Sequence, residues 1–291
     1  MMKHWCYEFT AKLIGFFVCR LPRSVTLTIG GQLGALIFRL APQQRALACE
    51  HLRRSLDWTD ERQIRSIAKQ CFENLGKNIF EFMQFPRMNS KQIQQYVSFE
   101  GTEYVKQALA HGKGAIILTG HFGNWELLAA SISATIAPLT PIVRELRSPR
   151  LNALVSSYRS QAGYTTIDRD TGIRQALRCL KRNELLGIVA DVDTSVSGVF
   201  VDFFGRPAYT PYSPVAIALK TGAAVLPTFI IRQPDGSHRA IIEPPLVFQR
   251  TDGKEKDLVI NTQKFTKIIE SYIRQYPAQW IWMHQRWKTR P

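Results

Sequence analysis

From Thr102 to Gln275 the chain switches repeatedly between a helical spacing of apolar residues and short β-branched apolar runs, which restricts the fold more than any other feature of the sequence. Helices are expected over 102–110, 124–136, 149–162, 173–181, 214–221 and 256–275, and strands over 115–120, 185–191, 224–232 and 239–244. Strands separated by helices cannot pair as hairpins. They pair in parallel, with the helices covering both faces, so the expected class is α/β: a mainly parallel mixed sheet flanked by helices. No internal repeat, low-complexity tract or long linker interrupts the pattern. Upstream, residues 43–56 and 60–85 read as two further helices. Ile64, Ala68, Cys71, Phe72, Leu75, Ile79 and Phe82 form a core-facing stripe on the second, and no cofactor is needed to explain them. In a sheet of this kind the site lies beyond the carboxyl ends of the strands, where His121 and Asp191 both fall.

His121 ends an apolar run between two glycines, and Glu126 follows five residues later. Inside one helix that spacing would leave the two side chains roughly 140° apart. The histidine must therefore precede the helix. Gly120 and Gly123 permit the tight path, and Asn124 is a suitable N-cap that puts Glu126 in the first turn. A carboxylate so placed can orient the imidazole and leave its other nitrogen free to take a proton from a hydroxyl. The plainer alternative is that Glu126 complements the helix dipole and His121 fills a turn. Arg144, Arg147, Arg150 and Arg159 follow, with Arg169 and Arg174 beyond. Guanidinium groups suit phosphates, although a solvated basic face accounts for any one of them. Asp191 ends an apolar strand and, taken alone, equally caps a turn.

The net charge of +15 suits an acidic partner: anionic lipid, a phosphorylated glycolipid, an acidic carrier protein or nucleic acid. Near the carboxyl terminus Trp280, Trp282, His284, Arg286, Trp287, Lys288 and Arg290 interleave aromatics with bases. No nucleic-acid fold signature accompanies them, so no nucleic-acid partner is expected, and His284, lacking a neighbouring carboxylate, reads as structural. Five cysteines show no metal-ligand spacing, so no metal is expected and a reduced, cytosol-facing protein is the simplest account. The amino terminus is apolar over residues 5–20 and 25–41, but Leu21-Pro22-Arg23 divides it into pieces too short to span a bilayer. Two helices at the interface, with Trp5, Lys12, Arg20, Arg23 and Arg39 at headgroup level, stand against a helical hairpin packed on the core.

Gly120-His-Phe-Gly-Asn-Trp-Glu126 has the His-X4-Glu form of the glycerolipid acyltransferases. Together with Gly198-Val-Phe-Val-Asp-Phe-Phe-Gly205, Thr210 and the run Pro277–Pro291, it makes the chain resemble the bacterial lipid A biosynthesis acyltransferases along most of its length. The resemblance implies transfer of a fatty acyl chain from an acyl carrier protein or CoA thioester to a hydroxyl of a lipid A precursor, with another glycolipid or a lysophospholipid as the alternative acceptor. A basic membrane-surface protein without activity is the reading from another class. The resemblance makes His121 the general base held by Glu126, with Arg144, Arg159, Asp191 and Asn124 as substrate-binding positions. It implies no cofactor and no covalent intermediate, and it places the enzyme at the cytoplasmic face of the inner membrane. Residues 1–42 would be a membrane-associating segment and 43–291 the catalytic domain.

Overall fold

The computed structural model describes residues 13–291. Trp5, Cys6 and Lys12, with the start of the first apolar run, lie outside the described residues. Nine strands form among the described residues: β1 (Val97–Glu100), β2 (Ala115–Thr119), β3 (Leu139–Val143), β4 (Ile167–Asp168), β5 (Leu185–Val189), β6 (Gly198–Phe203), β7 (Arg206–Pro211), β8 (Ala224–Arg232) and β9 (His238–Ile242). Seven make one sheet in the order β1-β9-β8-β2-β5-β3-β4. The pairs across β8-β2-β5-β3-β4 are parallel, β8 and β9 are antiparallel, and β1 runs parallel to β9. The expected mixed, mainly parallel sheet is present.

Every residue of β2 is buried, as a central parallel strand covered on both faces requires. Its side chains alternate between two cores. Ile116 and Leu118 join Phe122, Phe229, Phe265, Trp280 and Trp282 on one side. Ala115 and Ile117 join Leu127, Leu128, Ala130 and Ile132 of the helix Trp125–Thr135 on the other. The helices Thr102–Ala110, Pro149–Gln161, Ile173–Lys181, Ser213–Thr221 and Lys254–Gln275 lie within two residues of their expected bounds.

The sequence reading passed over β1, β3, β4 and the helix Ser90–Tyr96, all short, and the antiparallel hairpin β6-β7. That hairpin turns through Phe204 and Gly205, with φ of 56° and 72°. Positive φ at both turn positions is the type I′ geometry that matches strand twist, and Gly205 supplies it without strain.

The helix Arg23–Leu40 packs along Glu61–Gln84 through a row spaced by four residues, Thr26, Gly30, Gly34 and Phe38, all buried. The backbones approach closely: a Cβ on Gly34 would sit 2.1 Å from the Phe72 carbonyl oxygen, and one on Gly76 equally near that of Gly30. The opposite side of the helix exposes Val25, Leu33, Leu36, Ile37 and Leu40, and Leu13, Ile14, Phe16 and Phe17 before it are exposed too. Among the described residues no single helix is long and apolar enough to cross a membrane. The pair Arg23–Leu40 and Pro42–Leu56, bent by 95°, reaches that composition only together. Arg20 and Arg39 are exposed, but Arg23 is partly buried, with 15% of its side chain exposed. Its guanidinium turns inward to Glu81 and to the Gly236 carbonyl.

Because the glycine row sets this contact, Gly34→Val should lower stability by about 1–3 kcal/mol through overpacking, while Leu36→Ser on the exposed side stays within about 0.5 kcal/mol of wild type. Urea denaturation of both variants checks this; equal midpoints would mean that the glycines do not carry the packing.

Candidate active site

β2 and β5 are neighbours with Thr119 opposite Val189, so the residues just beyond them, His121 and Asp191, meet at the carboxyl edge of the sheet. Asp191 is buried, at 2 % exposure, and holds the loop through three donors. The His121 backbone N–H donates to Oδ2 at 2.7 Å, His121 Nδ1 lies 2.8 Å from Oδ1, and Trp280 Nε1–H donates to Oδ2 at 2.7 Å. Burial pushes the Asp191 carboxyl up, but the His121 imidazole and these hydrogen bonds outweigh it, leaving Asp191 below the usual carboxylate range. The carboxylate fixes the histidine tautomer: Nδ1 carries the proton shared with Asp191, and Nε2 keeps its lone pair.

Only glycine fits at two places in this loop. A Cβ on Gly120 would lie 2.9 Å from Asp191 Oδ2, and Gly123, at φ 59°, would drive one to 1.8 Å from the Ile230 carbonyl oxygen. Trp280 reaches Asp191 because residues 277–282 cross beneath the loop: Phe122 forms a β-bridge with Trp280, and the Gly123 N–H donates to the Gln279 carbonyl at 2.8 Å.

The expectation that Glu126 orients His121 is corrected. Among the described residues no hydrogen bond joins the two, and Asp191 occupies that position. Glu126 instead accepts from Arg159 Nε at 3.0 Å, from Arg159 Nη2 at 2.6 Å and from the Tyr164 hydroxyl at 2.5 Å. Burial lowers the Arg159 pKa, but Glu126 outweighs it and holds the guanidinium charged. Burial and the Glu126 charge both raise Tyr164, which stays a neutral donor.

His121, Trp125, Glu126, Arg144, Arg159, Tyr164, Arg169, Asp193, His284 and Lys288 line the mouth and walls of a cavity of about 640 Å³. Its remaining wall is largely apolar, with Ile117, Leu128, Ala129, Leu139, Ile142, Ile188 and Val189 from β2, β3, β5 and the helix Trp125–Thr135, and Val192 from the loop after β5. The volume falls in the range of ordinary ligand pockets. Arg144 is exposed at its edge and has no hydrogen-bond or ion-pair partner among the described residues. Asp191 and Asn124, expected to meet substrate, do not line it. Asp191 lies behind His121. Asn124 is buried, accepts from the Leu127 N–H at 3.1 Å as the helix cap, and donates to Glu81.

His284, read from sequence as structural, is part of the cavity wall, and burial lowers its pKa. Asp193 anchors the tail by accepting from the Thr289 N–H at 2.8 Å and its hydroxyl at 3.0 Å. Arg286 is buried and donates to the Tyr209 carbonyl at 2.6 Å and to Thr210 Oγ1 at 2.5 Å, which joins the β6-β7 hairpin to the tail. The tryptophan-rich end is therefore a strap across the back of the site. Tyr164 and Trp280 were missed because nothing local marks a residue whose partner lies 38 or 89 positions away.

Behind the loop, Glu81 is buried between Arg23, Arg232 and His238. Burial raises its pKa, but Arg232 and Arg23 outweigh it and bring it down to about 2. Burial drives His238 the other way, to about 3, so it is neutral near pH 7. Its folded pKa lies below the ordinary 6.5, so the unfolded chain takes up the proton first. The stability it contributes is complete above about pH 6.5 and is lost as pH falls toward about 3, at up to about 1.4 kcal/mol per pH unit. His51 and His284, also lowered by burial, add to the loss. Urea midpoints measured from about pH 7 to about pH 5 should therefore decline less steeply in His238→Leu than in wild type. Parallel profiles would refute the neutral buried state.

Comparison with known proteins gives a family model, described as bacterial lipid A biosynthesis acyltransferase, that matches residues 1–289. The chain is 25% identical over 279 residues to the lipid A biosynthesis lauroyltransferase of Escherichia coli (strain K12), covering 95% of this chain and 89% of that one. A lipid A biosynthesis acyltransferase of Haemophilus influenzae is 26% identical over 290 residues, 98% of this chain and 87% of its own length. A phosphatidylinositol mannoside acyltransferase of Mycobacterium tuberculosis (strain CDC 1551 / Oshkosh) is 26% identical over 221 residues, 74% and 68% respectively.

Proposed function

The chain belongs to the bacterial lipid A biosynthesis acyltransferase family and is an acyltransferase, and from that premise we propose that it moves a fatty acyl chain from a thioester, on acyl carrier protein or CoA, to a hydroxyl of a lipid A precursor. The observation that carries the proposal is the His121–Asp191 pair, with His121 lining a cavity that combines an apolar wall with charged side chains. Asp191 holds Nδ1, so His121 Nε2 takes the proton of the acceptor hydroxyl as its oxygen attacks the thioester carbonyl. The C–O bond forms, the C–S bond breaks, and the departing thiolate receives the proton from the imidazolium. No covalent enzyme intermediate is required.

The remaining residues suit the other demands of the reaction. The apolar wall accepts the acyl chain, whose transfer out of water is favourable at roughly 0.8 kcal/mol per methylene. Arg144, Arg169 and Lys288 in the cavity lining suit the phosphate of a phosphorylated glycolipid or of the donor's phosphopantetheine arm. The His121 and Gly123 backbone amides are already committed, so oxyanion stabilisation falls to Arg159, which Glu126 and Tyr164 hold against the cavity with Nη1 outside that pairing. The mycobacterial relative is named for a different acceptor, phosphatidylinositol mannoside, which keeps another glycolipid as the alternative.

The exposed apolar side chains of residues 13–40 support attachment to a membrane, which we place at the cytoplasmic face of the inner membrane, where the thioester donors are made. Full-length protein should float with anionic phospholipid vesicles, and a chain beginning at Gln43 should lose at least the apolar part of that binding. Full-length protein that stays in the soluble fraction would contradict the attachment.

For the chemistry, full-length protein is incubated with a lauroyl thioester of acyl carrier protein and, separately, a lipid A precursor, a phosphatidylinositol mannoside and lysophosphatidate. Transfer to the first is expected. His121→Ala should cost about 10²–10⁴ in kcat, and Asp191→Asn a comparable factor, with circular dichroism unchanged. Near-wild-type turnover in His121→Ala would remove it as the base; transfer only to a different acceptor would reassign the substrate.

A further inference from the structure

Glu81 lies on the helix Glu61–Gln84, reaches neither cavity nor surface, and spends its carboxylate on three donors from three different segments. Asn124 Nδ2 donates to Oε2 at 3.0 Å, Arg232 at the end of β8 donates to the same oxygen, and Arg23 at the start of the amino-terminal helix donates to Oε1. One turn earlier on the same helix, Asn78 Nδ2 donates to the Gly123 carbonyl at 2.6 Å and Asn78 Oδ1 accepts from Arg232 at 2.7 Å. Gln279 completes the frame: its side-chain oxygen accepts from the Arg232 N–H at 2.8 Å, and its own carbonyl accepts from Gly123. The two residues immediately after His121-Phe122 are thus clamped from behind by one charged cluster. Phe122 and Asn124 are themselves fully buried.

We propose that Glu81 is a positioning residue: through Asn124 it sets the backbone between His121 and Glu126, and through Arg23 it makes that setting depend on the docking of the amino-terminal helix. The inference rests on the acyl-transfer function proposed above. Stability alone does not account for such a cluster, because apolar side chains of equal volume in its place would hold a fold together as well or better. His238 sharpens the point, since its ring lies 3.8 Å from Glu81 and neither ring nitrogen has a partner, a cost the fold bears at this place. The cluster specifies direction. Asn124 is the cap of the helix that carries Glu126, and its two amide atoms join that helix end to Glu81. A carboxylate in place of this amide would face Glu81 as a like charge, and a shift of the loop by an ångström is enough to misplace a base relative to its substrate.

Arg23 adds the longer link. It is the first residue of the helix whose other side exposes Val25, Leu33, Leu36, Ile37 and Leu40, and it also donates to the Gly236 carbonyl in the β8-β9 turn at 2.6 Å. A helix pulled away from Glu61–Gln84 would take one of the two arginines from Glu81 and leave the carboxylate under-compensated beneath the loop.

The test exchanges the two partners in full-length protein assayed on vesicles. Asn124→Asp should lower kcat by about 10²-fold while leaving KM for donor and acceptor within about twofold, since nothing that touches substrate has changed. Adding Glu81→Gln to that variant returns the hydrogen bond with donor and acceptor reversed, keeps the helix cap, and leaves one negative charge for the arginines; kcat should recover to within about fivefold of wild type. Arg23→Gln should lower kcat by about tenfold with vesicle binding retained. Wild-type kcat in Asn124→Asp, or no recovery in a double variant whose thermal midpoint matches wild type, would overturn the proposal. Asn124→Ser keeps a cap but shortens the reach to Glu81; wild-type kcat there would overturn it as well. His121→Ala run alongside separates the two readings: if it keeps activity, the assigned site fails and this inference with it, whereas an inactive His121→Ala beside an unaffected Asn124→Asp sinks the inference alone.

Discussion

A carboxylate without water must be surrounded by donors, and Asp191 meets that condition by drawing three parts of the chain together. The His121 backbone, its ring, and the Trp280 indole satisfy it from two directions. Removing any of them leaves a buried charge short of a partner, at a cost of the order of 1–3 kcal/mol or more. The parallel register of β2 and β5 delivers the aspartate, Gly120 leaves room for it, and the bridge from Phe122 to Trp280 brings the third donor. The geometry around His121 and the packing of the carboxyl-terminal strap are the same set of contacts.

The two acidic residues beside the histidine are held in opposite ways. Asp191 is sealed off and devoted to the imidazole, whereas Glu126 lies in the cavity wall, paired with Arg159 and capped by Tyr164. Their separation follows from the helix cap at Asn124, which starts the helix so that Glu126 projects toward the helix Pro149–Gln161. The helix Trp125–Thr135 that carries Glu126 also supplies Leu128 and Ala129 to the apolar wall, two and three residues further along. A charged pair and apolar lining thus come from the first turns of one element.

Much of this was legible in the sequence where the signal was local. The alternation of helices and strands, the N-cap at Asn124, the placement of His121 at a strand end and the arginine-rich stretch after it can all be read from neighbours within a few residues. Two-residue β4 and four-residue β1 lie below the length at which a period is visible, and β3 contains Pro141, which argues against a central strand. The pairing of His121 was misassigned for a physical reason: Glu126 is five residues away and Asp191 seventy, and only the sheet makes the distant one adjacent. His284 read as structural because the carboxylate near it in space, Asp191, is about ninety residues removed in sequence. Arg23 was misread for the same reason, since the charge that draws it inward stands on another helix.

The strap has a bearing on when the molecule becomes competent. Trp280, Thr289 and Arg286 follow the whole sheet in the chain, yet they complete the surroundings of Asp191, Asp193 and Thr210. Contacts between residues 76 to 96 positions apart close after the local helices and neighbouring strands have formed. During synthesis the sheet can assemble and the amino-terminal helix can dock while Asp191 still lacks its indole donor. Until Trp280 and the residues beyond it have been added, a chain whose sheet is already paired still lacks the contacts that seal the carboxylate behind His121.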